Sequence, residues 1–240
     1  MTPLDLKERS RIRNATSDRF GLSTMKVVAV LSEKGGAGKT TLSVHLATAA
    51  HLAGLKVMIL DLDPQGSAYA WAGRRDEPPE AEAIAPVALA GWLERLKGAG
   101  ADLVIIDTGR DANNAGYTAA KAADAILIPC RTGGFDFLAL DRTLDLCRLA
   151  GTRPYIVLNG LRPGALKAEV DAREALAGLE CELCPAAMHD RADFKAASVA
   201  AKSAQELDPK GKAAEEIETL YLWLCRIIGL STTRKKNKGA

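Results

Sequence analysis

The sequence predicts an α/β fold, a mostly parallel, doubly wound sheet with helices on both faces. Three observations carry that prediction. Apolar runs of four or five residues alternate with helix-length stretches along the chain; several of the runs end in an acid; and the first leads into a glycine-rich turn that opens a helical pattern. At 240 residues and 48% hydrophobic composition the chain can bury one sizeable core, and no internal repeat is present.

The first strand is expected over 26–31, a helix over 39–53 ending at Gly54, and between them lies Ser32-Glu33-Lys34-Gly35-Gly36-Ala37-Gly38-Lys39-Thr40-Thr41. Strand, glycine-rich turn and helix is the context that a phosphate cradle needs. Residues without a Cβ let successive backbone N–H groups turn inward toward phosphate oxygens, and the helix N-terminus adds unpaired donors and a favourable dipole. Lys39 can reach the β- and γ-phosphates as a point charge, and the Thr40 hydroxyl is placed to ligate Mg²⁺. On the helix, Leu42, His45, Leu46 and Ala49 follow helical spacing and should face the sheet.

The second strand is Val57-Met58-Ile59-Leu60, followed by Asp61-Leu62-Asp63-Pro64-Gln65-Gly66-Ser67, so two acids emerge at its carboxyl end near the glycine loop. Residues 73–83, charged and proline-bearing, read as an exposed loop or insertion, with a short helix over 88–97. The run Asp102-Leu103-Val104-Ile105-Ile106-Asp107 is an apolar strand ending in an acid, so Asp107 can hold a Mg²⁺-bound water or accept from the Thr40 hydroxyl. A further strand over 123–129 precedes a helix over 135–149; the run 154–160 is the next strand, with Asn159 near its end. A helix near 165–177, a short strand near 181–186 and a helix over 212–228 complete the alternation.

Net charge is +2, but residues 1–26 hold six Lys/Arg against three acids, and residues 231–240 hold four Lys/Arg and no acid, leaving the segment between net acidic. The expected organisation is a basic arm over 1–24, a nucleotide-binding domain over 25–230 and a basic tail over 231–240. No apolar run approaches the ~18 residues that span a bilayer, and the charged N-terminus lacks a signal-peptide apolar region, so the expected location is cytoplasmic. Five cysteines without framework spacing fit a reducing compartment. Cys181 and Cys184 with His189 nearby have part of a zinc-site spacing, but no second pair lies close by to complete four ligands.

The glycine loop departs from the ordinary P-loop pattern, since Glu33 stands where a glycine is usual and Lys34 adds a second lysine. This K-G-G-x-G-K-T, with D-x-D-P-Q-G-S at 61–67 and the acid at 107, resembles the ParA/MinD family of deviant Walker A ATPases. Within it, the stretch 196–215 is similar to the closing segment of small plasmid-partition ParA proteins that lack an N-terminal helix-turn-helix domain. The resemblance implies ATP and Mg²⁺ as ligands, with Gly35, Gly36, Ala37, Gly38, Lys39, Thr40 and Thr41 forming the cradle and Asn159 contributing to the adenine pocket. It implies that Lys34 crosses to the partner's nucleotide in an ATP-bound homodimer, that Asp63 positions the attacking water, and that Asp61 lies deeper, near Mg²⁺, with Thr40 and Asp107. Lys34, Lys39 and Asp63 are the catalytic candidates.

The same resemblance implies non-specific DNA binding, nucleoid association and segregation of plasmid or chromosomal DNA through a centromere-binding adaptor. Arg191, Lys195, Lys202, Lys210, Lys212 and the basic ends are the candidate DNA contacts. One other reading keeps the chemistry, positioning of a protein cargo such as a carboxysome or chemoreceptor cluster; another, from a different class, is MinD-like division-site regulation at a membrane through the apolar stripe Ile217, Leu220, Tyr221, Leu224 and Ile228. The membrane is disfavoured by Glu215, Glu216 and Glu218 on that helix. At one place the chain departs from the family: Asp107 is followed by Thr108-Gly109-Arg110-Asp111 where many members have D-x-P-P or D-x-P-G.

Overall fold

The computed structural model describes residues 25–110, 115–131, 134–179 and 181–232; the expected basic arm over 1–24 and residues 233–240 of the tail lie outside them. Eight strands pair in parallel: β1 (Lys26–Val30), β2 (Val57–Asp61), β3 (Glu80–Ala83), β4 (Leu103–Asp107), β5 (Ala125–Cys130), β6 (Pro154–Leu161), β7 (Glu182–Leu183) and β8 (Met188–His189). Their order is β3-β2-β4-β1-β5-β6-β7, with β8 also beside β6. The helices are α1 (Lys39–Leu52), α2 (Ser67–Ala72), α3 (Leu89–Gly98), α4 (Tyr117–Ala122), α5 (Gly134–Ala150), α6 (Leu166–Leu176), α7 (Ala192–Val199), α8 (Ala204–Leu207) and α9 (Lys212–Ile228).

Alternation along the strands builds two cores. Val28, Val30, Ile59, Leu103 and Ile105 meet Leu42 and Leu46 of α1, Trp71 of α2, Phe194 of α7 and the apolar face of α9. Val27, Ala29, Leu60, Val104 and Ile106 meet Leu93 of α3, Ala120 of α4, Leu140 and Leu144 of α5 and Leu176 of α6. A strand covered on both faces has no polar side, which is why these strands read as continuous apolar runs. The chain winds first toward β2 and β3, returns to place β4 beside β1, and then crosses to β5. The carboxyl end of β1 is therefore the switch point where an open α/β sheet leaves a crevice.

One expectation is corrected. Residues 80–83 are not loop but an edge strand in register with β2, Met58 opposite Glu80 and Asp61 opposite Ala83. The Glu-Ala alternation there has the right period, but neither residue favours strands, and the preceding prolines read as a break. Glutamates on such an edge discourage pairing with another chain. The apolar stripe of α9 docks on the sheet, so the already disfavoured membrane reading draws no support from it. Ile217, Leu220, Tyr221, Leu224 and Ile228 are all buried in the first core, and Trp223 meets Tyr155 edge-on at 5.4 Å. No helix among the described residues is long and apolar enough to cross a membrane.

A phosphate cradle at the sheet switch point

Three strand ends meet at the crevice: Val30, from which the glycine loop departs, pairs with Asp107, and Asp107 with Asp61. The loop closes onto α1 through Gly38, whose φ of 96° lies in the left-handed region. A Cβ on Gly38 would also stand 2.1 Å from Asn159 Nδ2, so Asn159 packs directly against the loop. Its Nδ2 donates to Ala37 O at 2.5 Å, which braces the cradle from the end of β6.

Lys39 is 8% exposed and its Nζ donates to the carbonyl of Ser32 at 2.9 Å, folding the ammonium back across the loop. Burial lowers its pKa, the charges of Asp107 and Asp63 oppose that shift, and Arg110 adds to it. Thr40 Oγ1 donates to Asp107 Oδ2 at 2.7 Å, and Ser43 Oγ to Asp107 Oδ1 at 3.0 Å. Asp107 is fully buried and its pKa is pushed up to about 7, mainly by burial. The carboxylate is thus held beside the Thr40 hydroxyl in a setting where positive charge nearby would favour its ionised form. Ser43 is a residue that sequence reasoning missed. Its signal was its place one turn beyond Thr40 on the same helix face.

Asp63 is half-buried at the rim, where its Oδ1 accepts from Gln65 N–H at 3.0 Å. Lys34 is half-buried, and its N–H donates to Ser32 Oγ at 3.3 Å. Asp61 is fully buried at the end of β2. Its Oδ1 accepts from Asp63 N–H at 3.0 Å, and its Oδ2 accepts from the N–H groups of Ala68 at 2.8 Å and Tyr69 at 3.0 Å. Those are orphan donors of the first turn of α2, and the residue at its N-cap, Gly66, has no side chain to satisfy them. Asp61 therefore works as the cap of α2, supplied from the strand below.

The parallel sheet, the loop at its switch point and the buried lysine and threonine–aspartate pair together define a P-loop nucleotide-binding protein. The chain belongs to the CobQ/CobB/MinD/ParA family, whose nucleotide-binding domain model matches residues 28–211. Among its relatives, the maintenance of carboxysome distribution protein A of Gloeobacter kilaueensis is 33% identical over 82% of this chain and 90% of its own length. The protein ParA of Rhizobium radiobacter is 36% identical over 51% of this chain and 56% of its own. In fold the chain is similar to the septum site-determining protein MinD of Pyrococcus horikoshii, solved with Mg-ADP. That match has a TM-score of 0.71 at 17% identity and covers 85% of this chain and 98% of that one.

Proposed function

We propose that this protein is a Mg²⁺-dependent ATPase of the ParA type, which dimerises around ATP, binds DNA without sequence preference and hydrolyses ATP under stimulation by an adaptor. The observation that carries the reading is the buried Lys39 beside the Thr40–Asp107 pair, in a loop that also contains Lys34. The cradle's N–H groups and Lys39 hold the phosphates, and Asn159, already braced on the loop, offers its amide edge to the adenine. The donor set fits a hard cation, since the Thr40 hydroxyl oxygen lies beside one oxygen of the Asp107 carboxylate, whose other oxygen is held by Ser43 from one turn further along α1. Mg²⁺ held there would supply positive charge to the phosphate oxygens. Lys34 of the partner subunit adds charge at the same oxygens, and Asp63 orients the water from the rim. Asp61, which accepts from the N–H groups of Asp63, Ala68 and Tyr69, sets the α2 end of the Asp63 loop beside the Mg²⁺ site.

The biological role proposed is segregation of plasmid or chromosomal DNA on the nucleoid, through a centromere-binding adaptor. A second reading, positioning of a protein cargo with the same chemistry, is favoured by the relative matched over 82% of the chain, a carboxysome distribution protein.

Size-exclusion and nucleotide titration test the core of the reading together. The unaltered protein should bind ATP and form a dimer with ATP and Mg²⁺ but not with ADP. Lys34→Ala should keep nucleotide affinity within about threefold and lose the ATP-dependent dimer, and a variant that dimerises normally removes the partner-crossing role of Lys34.

A further inference from the structure

Arg110 is the residue at which the chain leaves its family's pattern, and the structure gives it a definite place. Its guanidinium lies over Gly35 of the phosphate loop: a Cβ built on Gly35 would stand 2.5 Å from Cζ and from Nε, and 2.8 Å from one Nη. With glycine there, the guanidinium rests directly against the loop backbone. The charge also reaches Lys39, whose ammonium it disfavours. One position earlier the same turn touches the rim, since a Cβ on Gly109 would be 3.2 Å from the Asp63 carboxyl carbon. Arg110, Lys39, Asp63 and the loop backbone at Gly35 therefore converge on one spot at the mouth of the cradle.

Two cations held near each other repel, and a polyanion between them turns that repulsion into attraction to both. We propose that Arg110 is a catalytic residue that contacts the terminal phosphate of ATP from within the same chain. The proposal rests on the ATPase reading above and adds to it a cation that does not depend on the partner subunit. The guanidinium is planar, permanently charged and matched to two phosphate oxygens at once. Phosphoryl transfer spreads charge over the equatorial oxygens of the group in flight, and an arginine supplied in cis stabilises that charge. No proton is transferred by Arg110; it donates N–H groups to oxygen while the bond to the leaving ADP oxygen breaks and the bond to water oxygen forms. The side chain is exposed, so its removal leaves both cores intact.

The test is to titrate the unaltered protein, Arg110→Ala and Arg110→Lys with ADP and with a non-hydrolysable ATP analogue in Mg²⁺, and to measure turnover at saturating ATP. Arg110→Ala should weaken the analogue by at least about tenfold, a typical charged hydrogen-bond effect, and leave ADP affinity within about threefold. Turnover should fall on the order of 10²–10³-fold. Arg110→Lys should recover part of the analogue affinity, because the charge remains while the two-point match is lost. Unchanged ADP affinity doubles as the control for folding. Equal losses for both nucleotides, or no loss for either, would overturn the assignment of Arg110 while leaving the ATPase reading standing. Absence of nucleotide binding by the unaltered protein would overturn both.

Discussion

His45 shows how burial alone sets the behaviour of a side chain that carries no chemistry. It sits mid-helix on α1 at 1% exposure, its Nδ1–H donates to Thr41 O at 2.7 Å, and its ring meets Phe194 edge-on at 5.0 Å. Its Nε2 has no partner among the described residues. Burial holds the pKa down to about 4, so the native state refuses a proton that the unfolded chain accepts below about 6.5. Stability from this group is therefore complete above about pH 6.5 and is lost as pH falls toward 4, by up to ~3 kcal/mol. Urea unfolding at pH 7 and pH 5 checks this: the unaltered protein should lose about 2 kcal/mol more than His45→Gln, which cannot titrate. Parallel losses in the two proteins would show that the proton goes elsewhere. At the same scale, Lys39 and Thr40 were legible because their roles follow from spacing within one loop. The capping bonds of Asp61 were not, because which helix terminus a strand-end carboxylate meets depends on the position of α2.

Among the elements, the connection after β2 shows most clearly what local sequence hides. Arg74 and Arg75 read as part of a charged exposed loop, yet the Arg75 side chain is only 4% exposed. Its two terminal nitrogens pair with both oxygens of Glu206, at 3.0 and 2.8 Å, and also donate to Ala201 O and Pro78 O. The guanidinium stacks 4.3 Å above the Trp71 ring. Glu206 in turn closes a capping box with Ser203 at the start of α8, so one arginine ties the segment following the Asp63 loop to the C-terminal helices. Removing one partner of a largely buried pair strands the other, so Arg75→Ala should cost ~2–4 kcal/mol in chemical denaturation. Arg75→Lys should recover little, since an ammonium cannot match both carboxylate oxygens. A loss below about 0.5 kcal/mol would place this contact with ordinary surface pairs.

Over the whole molecule, the doubly wound topology brings the ends of β1, β2 and β4 and the phosphate loop to one crevice, and it leaves the C-terminal helices packed on the α1 face. Several candidate DNA contacts there have acidic neighbours: Arg191 with Glu216 at 2.6 Å, Lys195 with Asp190 at 3.1 Å and Lys212 with Glu215 at 2.8 Å. Glu216 also accepts from His189, so Arg191 belongs to a structural cluster, whereas the exposed lysine pairs are weak and can be exchanged for phosphate. If DNA is bound through such contacts, affinity in ATP should be equal for unrelated duplexes. It should fall roughly 10³-fold between 50 and 200 mM salt for about six phosphates neutralised. Fluorescence anisotropy measures both, and a strong preference between duplexes or a flat salt response would remove the non-specific reading. By itself the sequence determined the alternating strands and helices, the cradle and the apolar face of α9, because each is a pattern repeated within a few residues of chain. Only the tertiary structure decided that this face is buried, that Asp61 caps α2, that Arg110 lies over Gly35 and that Arg75 meets Glu206, 131 positions away. Those contacts depend on which elements the sheet sets side by side, and no local period encodes that.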